Sequence, residues 1–127
     1  MGILKAAKPA IIICTRDRPR ATAFYRDTLG LALVHEDSFA AVFDLGGVPL
    51  RVSSVADFTP HEHTILGFRV PDVAAAVKAL REKGVTFNVY SHFKQDELGI
   101  LTIPGVGVRV AWLKDPDGNV LSVTDAP

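Results

Sequence analysis

An α+β fold of two tandem βαβββ modules is what this 127-residue sequence predicts: a curved mixed sheet, or half-barrel, around a cleft with the helices outside. Three observations predict it. A strand-like run, a capping Asp, a helical stretch and a closing Gly occur twice, at an offset of about 55 residues. Each half then continues in short β-branched and aromatic runs separated by Gly, Pro and Asp. The last separator, Asp115-Pro116-Asp117-Gly118-Asn119, holds every residue type that a tight turn needs.

In the first module, about residues 8–55, Ala10 to Cys14 reads as a strand of branched residues buried on both faces. Asp17 caps a helix expected from Pro19 to Thr28, whose apolar stripe is Ala21, Phe24, Tyr25 and Leu29. Gly30 ends it in the left-handed conformation. Strands are expected at Leu31–His35, Phe39–Leu45 and Val48–Ser53, with Gly46-Gly47 as a hairpin turn. Phe39 and Phe43 read as core.

The second module, about residues 62–125, repeats the plan within one domain of residues 1–127. Thr64 to Val70 is its first strand, Asp72 its helix cap, and Val73, Val77 and Leu80 its helical stripe, closed by Gly84. Further strands are expected at Val85–Tyr90, Val106–Lys114 and Val120–Thr124. Ser91 to Pro104 fits least well and reads as a loop with a possible extra strand at the cleft mouth.

Composition narrows the function. Hydrophobic residues make up 48% and charged residues 22%, with zero formal net charge. No basic block or acidic tail is present, so neither nucleic acid nor a membrane surface is an expected partner. One cysteine, Cys14, allows no internal disulfide and fits a reducing compartment. The apolar run Ala10 to Cys14 is too short for a secretory signal, and no stretch approaches the ~20 apolar residues of a spanning helix. A cytoplasmic location is the expectation.

Two stretches carry a resemblance. Phe24-Tyr25-Arg26-Asp27-Thr28-Leu29-Gly30-Leu31 and the Asp-Pro-Asp-Gly-Asn hairpin with its flanking strands resemble the vicinal oxygen chelate superfamily of glyoxalases, bleomycin-resistance proteins and extradiol dioxygenases. The resemblance runs from about Pro9 to Asp125 and implies the two-module fold, a cleft and a homodimer. It also implies where a divalent metal would bind in the metal-dependent members. The His position seven residues before each capping Asp falls on Ala10 and Ile65, and the carboxylate positions fall on Arg51 and Ser122. Alkyl side chains donate nothing, Arg repels a cation and neutral Ser is a weak ligand, so no metal and no cofactor is expected. His61-Glu62-His63 looks like a ligand cluster but reads as exposed polar residues ahead of the strand.

Strand alternation then selects the cleft lining. Ile11, Ile13, Leu50, Val52, Leu121 and Val123 suit the helix-packed side, leaving Ala10, Ile12, Cys14, Arg51, Ser53, Ile65, Gly67, Ser122 and Thr124 for the cavity. The resemblance places the pocket aromatic at Trp112, and Val110 shares its face. The expected ligand-binding set is Arg51, Trp112, Ser122, Cys14, Val110 and His92, with no catalytic residue assigned. Arg51 would take a carboxylate, phosphate or enolate oxygen, and Trp112 a planar ring. The expected function is metal-independent binding of a small, mainly apolar or aromatic molecule. The alternative is a lyase, isomerase or dioxygenase with a displaced metal site or metal-free chemistry. In that case Arg51 would stabilise an oxyanion, and His92 or Glu97 would carry a proton.

Overall fold

Asp17 decides where the first helix begins. Its carboxylate accepts the Arg20 N–H at 3.2 Å, satisfying a donor that the helix leaves unpaired, and Pro19 pre-sets the first turn. The protein is described by a computed structural model covering residues 2–127, in which the chain divides into two compact units between Phe58 and Thr59.

In the first unit, β1 (Ile11–Thr15) leads to α1 (Arg18–Ala23), then to β2 (Ala32–Glu36), β3 (Ala40–Leu45) and β4 (Val48–Ser54). The predicted helix runs on past Ala23 as a π-helical turn, Phe24–Thr28, closed by Leu29 N–H to the Phe24 carbonyl at 2.9 Å. Tyr25 on that turn is fully buried, and its ring tilts against Phe43 at 5.9 Å. The sheet order is β1-β4-β3-β2, with β1 and β4 parallel and the other pairs antiparallel. Gly46 and Gly47 join β3 to β4 with φ of +59° and +87°, the doubly left-handed turn that side chains resist.

The core of this unit lies on one face, where Ile13, Ala21, Phe43, Leu50 and Val52 are essentially sealed from solvent. Burying a side chain such as Phe43 contributes roughly 1.5–3 kcal/mol. Two expectations fail here. Ile12 is 65% exposed, so β1 is not buried on both faces: α1 packs behind β3 and β4, and on the opposite face Ala40 and Val42 are buried while Ile12 at the sheet edge stays open. Phe39 is 72% exposed because it sits in the turn before β3, where Asp37 accepts both the Phe39 and Ala40 N–H groups.

The second unit contains β5 (Thr64–Arg69), α2 (Val73–Glu82), β6 (Leu101–Thr102), β7 (Arg109–Lys114) and β8 (Val120–Thr124). Asp72 caps α2 through the Ala75 N–H at 3.0 Å, and Val73 and Val77 are buried beneath it against β7 and β8. The order β5-β8-β7-β6 mirrors the first sheet, again with a parallel β5–β8 pair. Asp115 builds the turn between β7 and β8. One of its oxygens accepts from Asp117 N and Asn119 N, while the other accepts the Asn119 side-chain amide.

Val85–Tyr90 does not form the predicted strand. Its backbone meets β7 at the Phe87–Leu113 bridge and the Asn88 N–H to Trp112 carbonyl bond at 2.7 Å, without a continuous ladder. The fourth strand is instead β6, within the stretch read as a loop with a possible extra strand. The physical reason is Gln95. Its amide accepts from Tyr90 N and donates to the carbonyls of Asn88 and Gly99, so a side chain meets backbone groups that a longer ladder would have paired.

Candidate functional site

The second unit gathers four aromatic side chains beside its sheet. Trp112 on β7 is partly exposed, and Phe93 stacks on it at 5.4 Å with the planes 11° apart. Tyr90 meets Trp112 edge-on at 5.4 Å, and the His92 ring lies 4.2 Å from Phe93. Stacked and edge-on pairs at these separations suit the aromatic quadrupole. Together with Glu62, His63, Thr64 and Val120 these rings line a hollow of about 430 Å³.

The sheet face that carries Trp112 follows from strand register. Trp112 lies opposite Ser122, and Ser122 lies opposite Gly67, so these three share one face. Gly67 matters there: a Cβ at that position would stand 3.0 Å from the Ser122 hydroxyl oxygen. One extra residue, Ile65, is accommodated in β5 between the Thr64–Val120 and Leu66–Leu121 pairs. That irregularity turns Thr64 onto the face of Val120 and Ser122, where unbroken alternation from Gly67 would have put Ile65.

The wall comes from the loop between Asn88 and Ile100. Besides the Gln95 bonds, Asp96 accepts the N–H groups of Leu98 and Ile100, and its own N–H donates to the Ile100 carbonyl. Asn88 donates its side-chain amide to the Tyr90 hydroxyl at 3.0 Å. The segment that presents Tyr90, His92 and Phe93 is therefore a bonded loop.

Of the ligand-binding residues expected from sequence, the second unit brings Trp112 and His92 to one hollow, with Ser122 across the strand from Trp112. Val110 shares that face two residues along β7, buried opposite Leu101. Tyr90 and Phe93 were not among the expected set. Their signal was an aromatic cluster, Tyr90, His92 and Phe93, in an otherwise polar stretch.

Arg51 and Cys14 belong to the first unit. Arg51 lies opposite both Ile12 and Val42, and Cys14 lies opposite Ser53 in the neighbouring row of the same face. Arg51 holds Asp37 at 3.4 Å, and the His35 ring nitrogen approaches the same carboxylate oxygen at 3.4 Å. The Asp37 pKa lies below its ordinary value, chiefly because the Phe39 N–H and then the Ala40 N–H donate to it, with Arg51 adding a smaller effect. An anion approaching Arg51 must compete with a carboxylate already fixed beside it.

Ala10, Arg51, Ile65 and Ser122, the positions where the resemblance would place metal ligands, do not make a donor set for a divalent ion. His61 and His63 stack at 4.9 Å, ring on ring. Among the described residues no group of three or more His, Cys, Asp or Glu is arranged to hold a metal. No helix among them is long and apolar enough to cross a membrane.

Residues 8–123 match the family model described as the Glyoxalase/Bleomycin resistance protein/Dioxygenase superfamily. Among solved structures, a member of that superfamily from Sphaerobacter thermophilus DSM 20745 is 22% identical, with 96% of this chain and 98% of that chain covered and a TM-score of 0.73. A glyoxalase family protein from Enterococcus faecalis is 19% identical, covering 98% and 99% at a TM-score of 0.69. An integron cassette protein from the mobile metagenome of Halifax Harbour sewage outfall is 17% identical, covering 95% and 99% at 0.73. At these identities the likeness is one of fold. No curated protein matches the chain.

Proposed function

Because the chain belongs to the glyoxalase/bleomycin resistance protein/dioxygenase superfamily, we propose that it uses this fold to bind a small, mainly apolar or aromatic molecule, without a metal. The observation that carries the reading is the Trp112–Phe93 stack with Tyr90 edge-on, opening onto a hollow of about 430 Å³. Exposed rings lose water on contact with a planar guest, and an aromatic wall edged by a few polar side chains is how small-molecule sites are commonly built. The metal-free part of the reading is supported by Ala10, Arg51, Ile65 and Ser122 standing where the superfamily's metal ligands would stand.

Trp112 is the sole tryptophan, so intrinsic fluorescence reads the site directly. A thermal-shift and fluorescence screen over aromatic acids and natural-product antibiotics tests the proposal. A ligand at 100 times its Kd adds about 2.7 kcal/mol of stability. Trp112→Ala removes that gain if the ligand sits in this hollow, and hits that survive the substitution unchanged overturn the assignment. Elemental analysis of protein purified without chelator or affinity tag tests the second half. Stoichiometric metal that disappears on replacing His61 and His63 would overturn metal independence and favour the lyase, isomerase or dioxygenase reading.

A further inference from the structure

Resting on the aromatic-ligand reading above, we propose that the guest is a planar aromatic anion, its ring against Trp112 and Phe93 and its charge held by Lys114 and the Tyr90 hydroxyl. A second hollow of about 570 Å³, lined by His61, Glu62, Asn88, Tyr90, Lys114 and Val120 among others, adjoins the first. The two share Glu62, Tyr90 and Val120 as a common wall. Trp112 and Lys114 stand two residues apart on β7, so they project from the same face at ~7 Å spacing. Across the strand, Ser122 faces Trp112 and Val120 faces Lys114. A ring bearing a carboxylate matches that step in size.

The chemistry at the second position suits an anion. The Lys114 ammonium makes no hydrogen bond or ion pair among the described residues. The Tyr90 hydroxyl accepts from Asn88, which fixes its orientation and leaves its own proton to be donated. A cation and an oriented O–H donor on one small surface form charge-assisted bonds with a carboxylate that a neutral ligand cannot make. Glu62 is the one carboxylate lining both hollows and opposes an anion, while His61, His63 and His92 add positive charge when protonated.

The test is calorimetric titration of the full chain with three probes of matched shape: 2-naphthoate, 2-naphthamide and 2-naphthylmethylamine. The titrations are run near pH 8, above the ordinary imidazole range and below the ordinary ammonium range. The expected order places naphthoate tightest. Lys114→Gln weakens naphthoate roughly tenfold and leaves naphthamide unchanged, whereas Lys114→Arg retains binding. Tyr90→Phe gives a smaller loss confined to the acid, and Glu62→Gln tightens it. Equal affinity for acid and amide, tighter binding of the amine, or a Lys114→Gln loss shared by acid and amide overturns the anion assignment. If naphthamide still binds and Trp112→Ala abolishes it, the aromatic-ligand reading survives that failure. Binding of none of the three probes overturns both.

Discussion

Phe93 lies ring on ring with Trp112, although one side chain comes from a loop and the other from a sheet strand. Phe93 is 38% exposed, so the stack buries one side of the ring and leaves the other partly in water. Phe93→Ala is expected to cost only about 1 kcal/mol of stability while shifting Trp112 emission to longer wavelength. It should also weaken an aromatic ligand by roughly tenfold. Urea denaturation beside a ligand titration separates the two effects. A stability loss with unchanged binding would show that Phe93 is a structural prop.

Gln95 is expected to matter more than its position in a loop implies. Its amide makes three bonds to backbone groups, so Gln95→Leu should cost about 1–3 kcal/mol and release the Tyr90 amide to rapid hydrogen exchange. Gln95→Glu should behave worse, because an acceptor replaces the donor facing the Asn88 and Gly99 carbonyls. Exchange rates for Tyr90 and for the Trp112 strand distinguish local opening of the loop from loss of the whole unit.

The sequence made the frame readable because its signals are local. Asp17 and Asp72 cap helices through hydrogen bonds to N–H groups three residues away, and Gly30 and Gly84 adopt the positive φ that their helix ends require. The hairpins at Gly46-Gly47 and Asp115–Asn119 likewise depend on neighbours within five residues. What local pattern could not supply was partnership across sequence distance. Asp37 reaches Arg51 and Phe93 meets Trp112, each through a contact that no periodicity encodes. The irregularity at Ile65 is the same kind of event, since it shifts a face by one residue without a glycine or proline to announce it.

Acid sensitivity should follow Asp37 and Asp125. Asp125 has a lowered pKa mainly because the Arg109 N–H donates to it at 2.8 Å, with the Arg109 side chain adding further stabilisation. A carboxyl whose folded pKa lies below its ordinary 3.8 favours the native state fully above that value. The benefit fades as pH falls through the folded value. Wild-type protein should therefore lose stability as pH drops below about 4. The difference between wild type and Asp37→Asn or Asp125→Asn should shrink over the same range. A pH-independent difference in urea midpoint would assign the loss to shape rather than charge.

A homodimer is the expected assembly. Each four-stranded sheet is open within its unit, ending in edge strands β1 and β2 or β5 and β6, and unpaired edges favour association. Light scattering should give about twice the 13.7 kDa chain mass at micromolar concentration. A single-chain mass across that range refutes the expectation.

The Gln95-stitched segment also separates two burdens that most binding sites combine. The hairpin carrying Trp112 and Ser122 belongs to the sheet, whereas Tyr90, His92 and Phe93 hang from a stretch that the sheet touches at few points. Substitutions among those three rings can therefore retune what the protein accepts while the scaffold beneath them keeps folding, so diversification in descendants of this chain should concentrate there.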